Sequence, residues 1–178
     1  TERDMDDLRA LDACGAAWIE EPLDPRRVPQ GTSGDLFSRL AKLQGGLRTP
    51  VCLDESIARP RDLARALAHP ELRCYAVKAA KFGGVQPTLD FLSMAEERGI
   101  DVWMGGMYDT GVSKRLHAAL GTLPHVKAPG DIGSTARYFA QDITDPPHTA
   151  DRGFVTLNRT GHEHGLGCDL NRAVLARV

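Results

Sequence analysis

The strongest constraint on the fold is an alternation, repeated about five times along the chain, of amphipathic helical stretches with apolar runs only a few residues long. Residues 4–14 place Met5, Leu8, Leu11 and Ala13 at helical spacing ahead of Gly15, a helix stop. Ala16–Ile19 is then an apolar run ending in Glu20-Glu21-Pro22. Leu36–Leu43, Arg61–Ala68, Thr88–Arg98 and Ser113–Leu120 predict further helices, and Pro50–Leu53, Leu72–Val77, Ile100–Met104 and Leu123–Val126 predict the strands between them. The runs lack the polar/apolar alternation of an exposed meander, so the pattern means parallel strands joined by helical crossovers. An open doubly wound sheet and a closed (β/α) barrel both satisfy it. The G-x-G-x-x-G turn of a dinucleotide-binding sheet is absent, and Gly106–Ser113 has phosphate-loop glycine spacing but Val112 in place of the lysine.

Charge and cysteine usage narrow the possible functions. The 178 residues include 22 Lys and Arg against 24 Asp and Glu, a formal charge of −2. That excludes a polycation held on nucleic acid by bulk charge, and no run approaches the ~18 apolar residues of a membrane span. Cys14, Cys52, Cys74 and Cys168 form no C-x-x-C pair, and two of them sit inside apolar runs, as small hydrophobes do. That cysteine usage makes a reducing cytoplasm the expected location, and a chain that begins at Thr1 rather than Met, with no signal-peptide pattern, is expected to lack an N-terminal portion. The expected partners are a small-molecule carboxylate and further copies of the chain in a homo-oligomer, with no nucleic acid and no membrane.

Three predicted strands end in ionisable residues: Glu20 after AAWI, Asp54 after VCL and Lys78 after YAV. In parallel (β/α) architectures the site lies at the C-terminal ends of the strands, so these three point to one place. Period-2 alternation puts Trp18 with Glu20, Cys52 with Asp54, and Cys74 and Ala76 with Lys78, leaving Val51, Leu53, Tyr75 and Val77 to face helices. Two carboxylates without His or Cys suit a hard cation such as Mg²⁺. A lysine beside that cation has its ammonium form disfavoured by like charge, which suits a general base. The implied chemistry is proton abstraction next to a substrate carboxylate, with the metal stabilising the enediolate. A structural alternative is that Asp54-Glu55-Ser56 caps a helix beginning near Pro60.

Other residues carry weaker signals. Glu55 alternates away from Asp54 and reads as a partner supporting the metal or lysine from behind. Lys81, beside Gly83-Gly84, reads as a solvated loop residue. His162-Glu163-His164 near Cys168 matches no standard zinc spacing, and no G-x-S-x-G recruits the scattered His69, His117, His125 and His148 into a triad. Asp24–Arg48 starts as an irregular excursion with Pro25, Pro29, Gly31 and Gly34, and Phe154–Leu157 is a candidate strand outside the main architecture.

Four ordered segments, Trp18–Leu23, Thr49–Ser56, Val77-Lys78 with Lys81–Val85, and Trp103–Met107, resemble the enolase superfamily in its muconate-lactonizing subgroup. Gly105-Gly106-Met107-x-Asp109-Thr110-Gly111, followed by Pro129-Gly130-Asp131 and Asp142-Ile143-Thr144, is most similar to o-succinylbenzoate synthases and N-acylamino acid racemases. The resemblance implies an α/β fold, the C-terminal part of a TIM-like (β/α)7β barrel of enolase type. Residues 1–150 would hold about strands four to eight, and 151–178 would be a tail packing against an N-terminal capping domain absent from this chain. It implies Glu20 and Asp54 as the second and third Mg²⁺ carboxylates, with Mn²⁺ as a substitute, Lys78 as the catalytic strand-six lysine, and Gly106, Met107 and Asp109 as substrate-binding loop residues. Asp109 departs from the expected Glu.

The family's first metal carboxylate and its Lys-x-Lys motif belong before Glu20, where only 19 residues stand and none is Lys. The chain alone is therefore expected to be inactive, with an open sheet edge at which Trp18, Cys52 and Cys74 face solvent or a partner. The implied activity is dehydration by a synthase or racemisation of an N-acylamino acid. The alternatives are another muconate-lactonizing-type lyase or epimerase and a non-catalytic barrel fragment.

Overall fold

In a computed structural model of the chain, helices and parallel strands follow one another in the expected order. The structure describes residues 2–24, 35–127, 129–157 and 165–177, which fall into two units, Thr1–Val102 and Trp103–Val178. The His162-Glu163-His164 triplet and the stretch from Pro25 to Gly34 lie outside the described residues. Among the described residues no helix is long and apolar enough to cross a membrane.

The first unit contains α1 (Glu2–Ala13), β1 (Ile19–Glu20), α2 (Leu36–Gln44), β2 (Val51–Leu53), α3 (Pro60–Ala66), β3 (Cys74–Val77), α4 (Ala79–Phe82), α5 (Val85–Arg98) and the start of β4 (Asp101–Met104). β1 pairs with β2 and β2 with β3, all parallel, with Ile19 opposite Val51, Glu20 opposite Cys52, Cys52 opposite Cys74 and Leu53 opposite Tyr75. The helices begin where local chemistry starts them. Asp35 caps α2 by accepting from the Ser38 amide at 2.9 Å, and Pro60 opens α3, where its missing N–H costs nothing. Asp12, at the end of α1, accepts from the Arg48 and Thr49 amides at 2.9 and 2.6 Å and ties that helix to the turn before β2.

Val51, Leu53, Tyr75 and Val77 are fully buried, and each large apolar side chain among them contributes about 1.5–3 kcal/mol by leaving water. Phe91 of α5 stands edge-on to Tyr75 with ring centroids 5.5 Å apart, and Phe82 is 4.8 Å from Phe91. The other strand face departs from expectation. Cys52 and Cys74 are buried, at 0% and 1% exposure, and stand as direct partners across β2 and β3. Trp18 is half-buried.

The second unit holds the end of β4, α6 (Gly111–Leu120), β5 (Val126–Lys127), a 3₁₀ turn (Thr135–Arg137), β6 (Thr144–Asp145), β7 (Asp169–Leu170) and α7 (Arg172–Leu175). Its irregular second half is organised around one buried carboxylate. Asp142 accepts from the amides of Gly111, His148 and Thr144 at 2.9, 3.1 and 3.3 Å and from the Thr135 hydroxyl at 2.8 Å. A Cβ at Gly111 would collide with Thr144 Oγ1 and the Asp142 carboxylate, so only glycine lets α6 start there. β6 and β7 form an antiparallel pair. The expected strand at Phe154–Leu157 does not form: Phe154 makes one isolated bridge to Asp151, and 155–157 have no regular structure.

Candidate active site

The first unit brings three of the expected residues together because its strands are in register. Asp54 lies two residues beyond Cys52 and Lys78 four beyond Cys74, on the face that carries Glu20. Lys78 and Asp54 are 7% and 4% exposed. The Lys78 ammonium donates to both oxygens of Asp54, at 2.7 Å to Oδ1 and 2.5 Å to Oδ2. The capping alternative for Asp54 fails, since α3 is preceded by Arg59 and has no side-chain cap.

Lys81 is not a solvated loop residue. Lys78 stands at the N-terminal cap of α4, and one helical turn brings Lys81 back to the same side. Its Nζ donates to Asp54 Oδ1 at 2.9 Å and to the Asp54 carbonyl at 3.2 Å. Gly83, at φ 102°, ends that turn, and a side chain there would press on Pro60. The three-residue spacing of the lysines was the available signal, and the glycine pair after them masked it.

Glu20, Asp54 and Glu55 each offer a carboxylate oxygen, all within 4.8 Å of one another. Glu55 is exposed and stands in this cluster on the same footing as the other two, rather than behind them. The two strand-end acids have opposite electrostatics. Burial, then the charge and hydrogen bond of Asp54, then the charge of Glu55 push the Glu20 carboxyl up to about 7, against the pull of Lys78. Burial also acts to raise Asp54, but the hydrogen bonds and charges of Lys78 and Lys81 outweigh it and leave that carboxyl below its ordinary value. The supporting acid is Glu21, which alternation along β1 did not single out. One of its oxygens accepts from the Asp54 amide at 2.7 Å, the Ser56 amide at 2.8 Å and the Ser56 hydroxyl at 2.6 Å.

Gly106, Met107 and Asp109 belong to the second unit. Met107 is 49% exposed and its amide donates to Asp109 Oδ2 at 3.1 Å, so the shorter acid turns back on its own loop. A Cβ on Gly106 would run into the carbonyl and carboxylate of Asp131, which gives that glycine a packing reason of its own.

Helices alternating with parallel strands, with acids and a lysine gathered at the strand ends, define the class as α/β. Residues 2–174 match the family described as Enolase C-terminal domain-like, and the chain belongs to that family. It is 32% identical over 175 residues to the o-succinylbenzoate synthase of Bacillus subtilis, covering 98% of this chain and 44% of that protein. It is 36% identical over 171 residues to the N-succinylamino acid racemase of Thermus thermophilus, covering 96% and 43%. A crystal structure of an enolase-superfamily member from Enterococcus faecalis V583 superposes with a TM-score of 0.82 at 32% identity, covering 99% of this chain and 45% of the other. The chain thus spans less than half the length of the curated relatives it matches, and its fold is that of the corresponding part of enolase-superfamily barrels.

Proposed function

We propose that the protein removes a proton α to a substrate carboxylate with Mg²⁺ as cofactor, acting as an o-succinylbenzoate synthase or an N-acylamino acid racemase. The observation that carries this reading is the buried Lys78 ammonium seated on Asp54, one of three carboxylates whose oxygens lie within 4.8 Å of one another. The residues fit the metal. The donor set of Glu20, Asp54 and Glu55 is all oxygen, the preference of a hard cation, and these oxygens stand close enough together to share one ion. Bound there, Mg²⁺ would supply positive charge to the substrate carboxylate as its α-carbon loses a proton.

The chain's own residues do the rest. Asp54 fixes Lys78 Nζ through both oxygens, and Lys81 shares the charge of Asp54. Lys78 exchanges a proton at Nζ with the α-carbon in a racemase, while in a synthase its positive charge stabilises the enediolate. The names borne by the relatives support both outcomes, which share that intermediate. The test is α-carbon deuterium exchange of N-succinylamino acids by the intact protein in D₂O, together with an assay for o-succinylbenzoate formation. Lys78→Arg keeps the charge and loses the base, so exchange from one enantiomer disappears if the racemase reading holds. Equal exchange from both enantiomers counts against the racemase role of Lys78 and leaves the synthase role open. Full activity of Glu20→Ala or Asp54→Ala in metal-depleted buffer overturns the metal-dependent reading.

A further inference from the structure

The two consecutive acids at the end of β1 do different work. Glu20 joins the carboxylate cluster, whereas Glu21 turns across to the end of β2. Its amide continues the ladder by donating to the Cys52 carbonyl at 3.0 Å, and its backbone then enters the left-handed region at φ 41°. A non-glycine residue adopts that conformation only when its surroundings hold it there. Here the hold is visible, since a single carboxylate oxygen takes three hydrogens, two from the amides of Asp54 and Ser56 and one from the Ser56 hydroxyl. The other oxygen, Oε2, is shut off from water and has no partner among the described residues. Among the described residues, every hydrogen bond of this carboxylate therefore goes to the 54–56 turn.

We infer that Glu21 is a positioning residue that clamps the 54–56 turn and so sets where the Asp54 carboxylate stands relative to Glu20, an inference that rests on the metal-dependent reading proposed above. The physical logic is direct. Glu20 and Asp54 sit on neighbouring strands, and the last backbone bond between those strands before the site is the one from Glu21 to Cys52. Beyond it the backbone of Asp54 leaves the ladder, and its N–H has the Glu21 carboxylate as partner. Without that acceptor the amides of Asp54 and Ser56 lose their partner, and Asp54 keeps the bonds from Lys78 and Lys81 and from the Ile57 amide to its carbonyl, so its position is less firmly set. Ionised acceptors form the stronger hydrogen bonds, which favours a carboxylate over a neutral side chain here.

The test uses the intact protein, with amide hydrogen exchange at Asp54 and Ser56 as one readout and Mn²⁺ titration as the other. Glu21→Ala is expected to speed exchange of both amides at least about tenfold and to weaken Mn²⁺ binding about 10–100-fold, the usual range for losing a group that orients a metal ligand. Glu21→Gln, which keeps one acceptor oxygen, is expected to restore most of both properties, and Ser56→Ala, which removes one donor of three, to fall between. Unchanged exchange in Glu21→Ala overturns the clamp. Faster exchange with wild-type Mn²⁺ affinity overturns the positioning role. A wild-type protein that binds no Mn²⁺ overturns the metal-dependent reading itself, a result distinct from either.

Discussion

Tyr75 carries a hydroxyl that costs the folded state free energy. It sits in β3 with no exposure, and its Oη is buried without a hydrogen-bond partner among the described residues. Burial correspondingly pushes its phenol well above the ordinary tyrosine value. An unpartnered buried polar group costs about 1–3 kcal/mol relative to its hydrated state. Tyr75→Phe removes that cost and keeps the ring, with its edge-on contact to Phe91 at 5.5 Å. The void left by one oxygen is roughly 10 Å³, which at ~24 cal/mol per Å³ returns only about 0.2 kcal/mol. The net expectation is a stabilisation of about 1–3 kcal/mol, against the usual direction of core substitutions. For a cooperative unit of this size that raises the unfolding midpoint by about 2–12 °C. Calorimetry and urea unfolding of the two proteins side by side decide it. An unchanged or lowered midpoint would refute the reasoning, because it would mean that the hydroxyl has a partner worth as much as water.

Three further outcomes follow from the charged groups. Asp142→Ala strands three amide donors in the second unit, those of Gly111, Thr144 and His148, while the Thr135 hydroxyl keeps the His148 carbonyl, and is expected to lose about 3–5 kcal/mol after partial relaxation, measured by urea unfolding; a loss below about 1 kcal/mol would show that the loops do not depend on it. His148 is held below its ordinary value of 6.5, first by burial and then by the positive charges of Arg115 and Lys114, against its bond to the Ile132 carbonyl and the charge of Asp142. The unfolded chain therefore takes up this proton more readily, so its contribution is present above pH 6.5 and lost as pH falls below it, and His148→Gln should flatten that part of the stability profile. Glu20 has the opposite sign: its folded value of about 7 lies above its ordinary 4.5, so metal-free protein keeps this contribution below pH 4.5 and loses it as pH rises through 7. A Glu20→Gln profile that retains that slope would rule out Glu20 as its source.

Local pattern alone determined the order of helices and parallel strands and the placing of Glu20, Asp54 and Lys78 at strand ends, because periodicities of 3.6 and 2 report which way each side chain points within its own element. The residues that complete the site depended on contacts that periodicity does not encode. Glu21 reaches donors 33 and 35 residues away, and Lys81 reaches Asp54 only because α4 forms a single turn after β3. That Cys52 and Cys74 stand side by side follows from strand register. The second unit was least legible: β6 and β7 are two residues each and lie far apart in the chain, and Asp142 gathers donors from four separate positions. So short a strand has no period to read, and a buried carboxylate is tolerated only where the finished fold brings it enough donors, so both were decided by the tertiary structure.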